Sequence, residues 1–330
     1  MSPCYTIPMK IATFNVEFLF DEGKHKHSGT TWMYPKEYVA GRVEHLAKVI
    51  SDINADVIFL QEVASESVIK RIVEKIAIGK SNDVNYSYFL AESDKRGVGN
   101  AVIYRLKDCK VESIPAITGF PVMVEGDADM LGLKLHSRRA FVSLTTTYKD
   151  KPLYLFGLHL NSRFFVHLQS ATGVPLPTET QMQAADGLIR SEVFRSIQAR
   201  KMRQVIDELF AKDPAAQIAV MGDFNSLERE TPFRIIAGEF STHDDALISP
   251  ATTMVPSGKR YSFIGNDNGD GKDGRKLIDY ILISKPLETD VKSFQIYNDI
   301  LSHHNNKPPI PTFIESDHAP VVMELDSKIY

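Results

Sequence analysis

Ser316-Asp317-His318-Ala319-Pro320-Val321-Val322-Met323 sets a carboxylate and an imidazole immediately before an apolar run. The run reads as a buried strand, and the polar residues before it mark the strand's entry from a loop. Three earlier segments match this one in reverse. Val57-Ile58-Phe59-Leu60 ends at Gln61-Glu62, Leu153 to Leu158 ends at His159, and Ile218 to Met221 ends at Gly222-Asp223-Phe224-Asn225. A further pair, Phe14-Asn15, lies near the start. Reactive groups gather where buried strands stop and loops begin, so these segments should converge on one end of a sheet or sheets.

Helical periodicity separates the strands. Val39, Val43, Leu46, Ile50 and Ile53 recur at spacings of three and four, the stripe of an amphipathic helix. A second helix is expected over Ser65 to Ile76, capped by Ser65, and a third from about Glu192 to Phe210. Gly99–Arg105, Arg139–Tyr148 and Leu153–Leu160 read as strands joined by short turns such as Lys149-Asp150-Lys151, and Ile278–Ser284, Val291–Tyr297 and Ala319–Leu325 continue the pattern. Many hairpin-linked strands with a few long helices favour an α/β fold of two packed, mixed, largely antiparallel sheets flanked by helices. No linker interrupts the chain, and candidate residues run from Asn15 to His318. Residues 1–330 are therefore expected to form one domain.

The 330 residues are 43% hydrophobic and 24% charged, enough for a large core. A net charge of −4 supplies no global field for polyanions. Arg138-Arg139 and the group Arg195, Arg200, Lys201 and Arg203 read as solvated faces. Two cysteines, Cys4 and Cys109, argue against a disulfide framework. With no signal-like leader or membrane-length apolar run, the cytoplasm is the expected location.

Hydrolysing a phosphate ester with a hard divalent cation needs oxygen ligands, a group to handle the proton of the attacking water, and donors for the phosphoryl oxygens. Glu62 and Asp317 offer carboxylates and Asn15 an amide carbonyl as metal ligands. His318 titrates near neutrality and suits proton transfer. Asp279, a carboxylate in the apolar run Ile278-Asp279-Tyr280-Ile281-Leu282, would be costly to bury alone. Pairing it with His318 removes that cost and orients the imidazole. Asp223 and Asn225 follow a glycine that permits a tight turn, so both can point into one pocket. His159 could neutralise charge on the pentacoordinate phosphorus, and Asn161 lies two residues on.

Asn15, Gln61-Glu62, His159-Leu160-Asn161, Gly222-Asp223-Phe224-Asn225, Asp279-Tyr280 and Ser316-Asp317-His318, in that order, resemble the endonuclease/exonuclease/phosphatase superfamily. The resemblance implies a four-layer α/β sandwich and a Mg2+- or Mn2+-dependent phosphoesterase. It makes Glu62 the central metal ligand, assisted by Asn15 and Asp317, with His318 and Asp279 as a dyad and Asp223 and Asn225 on phosphate and nucleophile. Two branches fit poorly. Inositol polyphosphate phosphatases carry Trp-Cys-Asp-Arg where this chain has Leu277-Ile278-Asp279-Tyr280, and apurinic endonucleases carry Gln-Glu-Thr-Lys where it has Gln61-Glu62-Val63-Ala64. The motifs are similar to the deoxyribonuclease, sphingomyelinase and deadenylase side. A phosphodiester in nucleic acid or a nucleotide is the leading substrate, with a phospholipid or sugar phosphate as the alternative. An inactive binding scaffold would lack Glu62, Asp279 or His318, and all three are present.

Asp21–Pro35, Asn161–Arg190, Gly265–Lys276 and Ser302–Glu315 read as excursions that build the rim of the site. Asn266 to Gly271 imitates half of a calcium loop, but Leu277 stands where the loop's glutamate belongs, so a glycine-rich hairpin is expected. His25, His27, His303 and His304 read as solvated, with a binding role at the rim left open.

Overall fold

The computed structural model describes residues 8–27, 30–79, 85–94, 96–115, 139–163, 180–239, 245–265, 274–301 and 309–326. The chain opens with β1 (Met9–Leu19), a hairpin of β2 (Gly23–His27) and β3 (Thr30–Tyr34), and helix α1 (Lys36–Ile53). There follow β4 (Val57–Val63), α2 (Glu66–Gly79), β5 (Ser87–Leu90), β6 (Gly99–Tyr104), β7 (Cys109–Ile114), β8 (Phe141–Tyr148) and β9 (Lys151–His159). The long helix α3 (Gln181–Phe210) leads to β10 (Gln217–Asp223), α4 (Thr231–Ala237), β11 (Leu247–Ile248) and the short α5 (Ala251–Met254). The chain then runs through β12 (Phe263–Ile264), β13 (Arg275–Lys276), β14 (Asp279–Ser284), α6 (Lys285–Glu288), β15 (Val291–Ile296) and β16 (Val321–Leu325).

Among the described residues there are two six-stranded sheets, ordered β15-β16-β1-β4-β6-β5 and β11-β14-β10-β9-β8-β7. Each is mixed, with one parallel pair (β1 with β4, β9 with β10) among antiparallel neighbours. Alternation along the strands generates four layers. Ile11, Val57, Phe59, Val102 and Met323 point inward to meet Val142, Leu155, Ala219, Met221 and Ile281 of the second sheet. On the outer face of the first sheet, Ala12, Ile58, Leu60 and Ile103 pack on Val39, Val43, Leu46 and Ile50 of α1 and on Val68, Ile69 and Ile72 of α2. On the outer face of the second, Leu158, Ile218, Val220 and Leu282 pack on Met202 and Ile206 of α3 and on Phe233 and Ile236 of α4. Burial on both faces explains why these strands read as unbroken apolar runs. The two sheets approach closely at Gly157, where a Cβ would lie 2.1 Å from Cδ1 of Phe59.

The structure departs from the sequence reading in several places. Helix α3 begins at Gln181, inside the expected excursion, because Thr180 and Gln183 form a reciprocal capping box. The Asp21–Pro35 excursion holds the β2–β3 hairpin. The β8–β9 hairpin forms as expected, but β6 pairs with β4 and β5 in the other sheet. Arg139 and Arg195 are buried, at 3% and 5% exposure, where a solvated face was expected. The calcium-like run from Asn266 to Gly271, His303, His304, Arg138 and Cys4 lie outside the described residues, as do residues 164–179 of the second excursion. No helix among the described residues is long and apolar enough to cross a membrane.

Candidate active site

Strand register gathers the polar signatures at one edge of the sandwich. Asn15 pairs with Gln61 across the parallel β1–β4 ladder. Asp223 lies opposite His159 on one side and Asp279 on the other. Gly222 makes this possible, because its φ of +139° disfavours other residues and a Cβ would sit 1.9 Å from the Leu158 carbonyl oxygen. Glu62 also takes a left-handed conformation, φ 65°, at the register irregularity of β4 between Leu60 and Val63.

Nδ1 of His318 lies 2.8 Å from Oδ2 of Asp279, and the same oxygen accepts from Ser262 Oγ at 2.7 Å. Ser262 Oγ in turn accepts from the Asp279 N–H at 3.0 Å. The other carboxylate oxygen, Oδ1, is buried without a hydrogen-bond partner. Ser316 Oγ donates to the Asn15 carbonyl at 2.7 Å and accepts from the His318 N–H at 3.1 Å, which fastens the last motif to the first. The Phe263 ring, 4.9 Å from the imidazole, covers it.

Asn15 Nδ2 donates to Asp223 Oδ2 at 3.0 Å, while Oδ1 accepts from the Glu17 N–H at 3.0 Å. Asp223 Oδ1 accepts from the Asn225 N–H at 2.8 Å. Asn225 Nδ2 lies 3.1 Å from His159 Nε2, which is 3.3 Å from Asp223 Oδ2 and 3.8 Å from Glu62 Oε1. The second Glu62 oxygen accepts from the Phe18 N–H at 3.0 Å. Asp317 Oδ1 is 3.8 Å from His318 Nε2. Eight of the nine residues singled out in the sequence are thus linked at one edge. Asn161 stands slightly apart, its backbone N–H on Gln198 and its Nδ2 on the Ser162 carbonyl at 3.3 Å.

Two arginines complete this edge: Arg42, which the sequence reading did not single out, and Arg139, which it placed on a solvated face. Arg42, 1% exposed, donates to the carbonyls of Val16, Glu17, Ile314 and Glu315 and so ties the end of β1 after Asn15 to the segment before Asp317. Arg139 contacts both ring nitrogens of His159 and pairs with Asp94 at 3.5 Å. Burial and the neighbouring Arg96 lower its guanidinium to about 10, still charged at neutrality.

The charges act on one another. Burial, then Arg139, hold His159 well below its usual range, so it is neutral. The permanent positive charge at this position is that of Arg139 behind it. Burial also opposes a charged His318, yet Asp279, by charge and hydrogen bond, together with Asp317 and Asp223 raises that imidazole well above its usual range. Burial and the Asp279 charge push Asp223 up to about 7. Ligand atoms of Asp223, Asp279 and His318 all lie within 4.8 Å of one another, the spacing of a group able to hold a metal ion.

The profile of the Endonuclease/Exonuclease/phosphatase family matches residues 12–318, nearly the whole chain. This chain belongs to the endonuclease/exonuclease/phosphatase family. No curated protein matches it in sequence. Among solved structures, TDP2 from C. elegans superposes with a TM-score of 0.58 at 15% identity, covering 97% of this chain and 75% of that one. An endonuclease/exonuclease/phosphatase family protein from Leptotrichia buccalis gives 0.56 at 17%, covering 96% and 99%. D. rerio TDP2, solved with a single-strand DNA product, gives 0.54 at 16%, covering 97% and 99%. At these identities the likeness shows a shared fold.

Proposed function

We propose that this member of the endonuclease/exonuclease/phosphatase family hydrolyses phosphodiesters with the help of a hard divalent cation, Mg2+ or Mn2+. The observation that carries the reading is the Asp279–His318 pair at 2.8 Å, facing Asp223 across the cluster. The DNA product bound to the D. rerio TDP2 structure favours a phosphodiester over a phosphomonoester.

The residues fit a cation on two grounds. The donors at this edge, the carboxylates of Glu62 and Asp317 and the carbonyl of Asn15, are hard oxygens. Four carboxylates, Glu62, Asp223, Asp279 and Asp317, meet here, and burial together with the Asp279 charge holds Asp223 up at about 7. Glu62, Asn15 and Asp317 would hold the ion, which supplies charge neutralisation at the phosphoryl oxygens and positions water. Asp279, fixed by Ser262, holds His318 so that its Nε2 faces Asp223 at 3.9 Å. His318 and Asp223 then handle the proton of the attacking water. His159 Nε2, between Asp223 and Glu62, and Asn225 Nδ2 beside it would contact the phosphoryl oxygens. Arg139 fixes the His159 ring and adds a permanent positive charge behind it.

The test is turnover of bis(p-nitrophenyl) phosphate with and without Mg2+ in wild type and His318→Ala. Metal-dependent turnover that falls by about 10²–10⁴-fold in the variant is expected. Equal rates would end the assignment.

A further inference from the structure

The β2–β3 hairpin carries charge of one sign only. Gly23 to Tyr34 contains Lys24, His25, Lys26 and His27 and no acid, in a chain of net charge −4. The two acids at its root are engaged elsewhere, Asp21 with Ser67 and Glu22 with Arg71 at 3.0 Å. Lys24 and Lys26 are exposed and make no ion pair among the described residues. Pairing of His25 with Trp32 and Lys24 with Met33 divides the ribbon into a ring-bearing face and a lysine-bearing face.

The hairpin is not a detached arm. The Met33 N–H donates to the Pro309 carbonyl at 2.7 Å, and Tyr38 Oη at the start of α1 donates to the Phe313 carbonyl at 3.0 Å, so residues 309–314 run as one ledge from the hairpin to the first turn of α1. That segment exposes Ile310 at 47% and Phe313 at 37%. The ledge abuts the candidate active site at both roots. Phe18, whose N–H holds Glu62, stacks on Phe20 at 6.3 Å, and Phe20 packs on Tyr34 of the hairpin at 5.2 Å. At the other root, Arg42 anchors Ile314 and Glu315 two residues before Asp317.

We propose that this ledge is a binding surface for an unpaired nucleic-acid strand, with Lys24 and Lys26 on its phosphates and Phe313 stacked on a base. Charge complementarity points to a polyanion, and exposed aromatic and aliphatic groups beside lysines suit unstacked bases rather than a closed duplex. A strand lying on the ledge leads directly to Glu62 and Asp317. The assignment rests on the phosphodiesterase reading and names its substrate class.

In EDTA, a fluorescein-labelled single-stranded oligothymidylate should bind saturably by fluorescence anisotropy, and a duplex of equal length should bind more weakly. Replacing both lysines, Lys24→Ala with Lys26→Ala, should lower the slope of log affinity against log salt by about 1.4, the share of two phosphates on a single strand. Phe313→Ala should weaken binding about fivefold or more. Turnover of bis(p-nitrophenyl) phosphate should be unchanged in these variants. Variants that bind as the wild type does, a duplex that binds as tightly, or no saturable binding would each overturn the ledge. Loss of the phosphodiesterase reading shows separately, as metal-independent turnover of the chromogenic ester.

Discussion

The Asp279 carboxylate lies 2.8 Å from Nδ1 of His318 and 2.7 Å from the Ser262 hydroxyl, so one oxygen serves both the imidazole and the loop that precedes β12. A change at either partner alters the orientation and charge of the ring without touching the outer rim. Asp279→Asn keeps the shape but not the charge. Its kcat on the chromogenic diester should fall by about 10³–10⁴-fold, with near-native circular dichroism. Ser262→Ala should cost much less, since the imidazole pairing survives. A kcat unchanged in Asp279→Asn would show that His318 acts without its carboxylate.

Arg139 and His159 form the second coupled pair. Removing the guanidinium in Arg139→Gln takes away one of the two largest causes that hold His159 neutral, though burial persists. The His159 titration midpoint, followed by NMR of its ring proton, should move upward toward 6.5, and turnover should fall by about 10- to 100-fold. A midpoint that stays where it was would mean that burial alone sets the ring's state.

Asp223 gives the metal-free protein a dependence on pH with a definite sign. Its carboxyl, ordinarily at 3.8, is pushed up to about 7 by burial and Asp279. Between these values the fold keeps a proton that the unfolded chain has released. The stabilising contribution is therefore complete below 3.8 and is lost as pH climbs through about 7. Thermal scans in EDTA should show this loss in wild type and not in Asp223→Asn. Added Mg2+ should raise Tm more at about pH 8 than at about pH 5.5, because ligands that repel one another gain most from a cation. An equal gain at both would argue against the cation lying among these carboxylates.

Gly157 tests the contact between the sheets. A methyl group there would overlap the Phe59 ring, so Gly157→Ala should destabilise by about 1–3 kcal/mol in urea unfolding. Phe59→Leu in the same background should recover part of that loss. Strict additivity of the two changes would place the strain elsewhere.

Much of this site could be read in the chain because each signature ends or begins a run buried on both faces. Asp279 was traceable to His318 by a cost argument, since a carboxylate amid Ile278, Tyr280 and Ile281 needs a partner. Arg139 and Arg42 were not traceable. A guanidinium in a pocket and one in solvent have the same local sequence, and the acceptors of Arg42 are carbonyls some 25 and 272 residues away. The early start of α3 was legible but unread, because Thr180 and Gln183 already spell a capping box. The β2–β3 ribbon lacks strong alternation, and its pairing depends on the Phe20 and Tyr34 rings against the body.

In the first sheet β16 lies between β15 and β1, so the opening strand has one flank bare until the closing strand arrives. During synthesis on the ribosome, β1 must wait for Val321–Leu325 to be made before that flank is covered. Pairings between such remote partners form slowly. A prematurely terminated product would expose the β1 flank as an adhesive template for other nascent chains. A stop codon shortly before Val321 should accordingly yield insoluble, chaperone-associated material rather than a folded protein with a weakened centre.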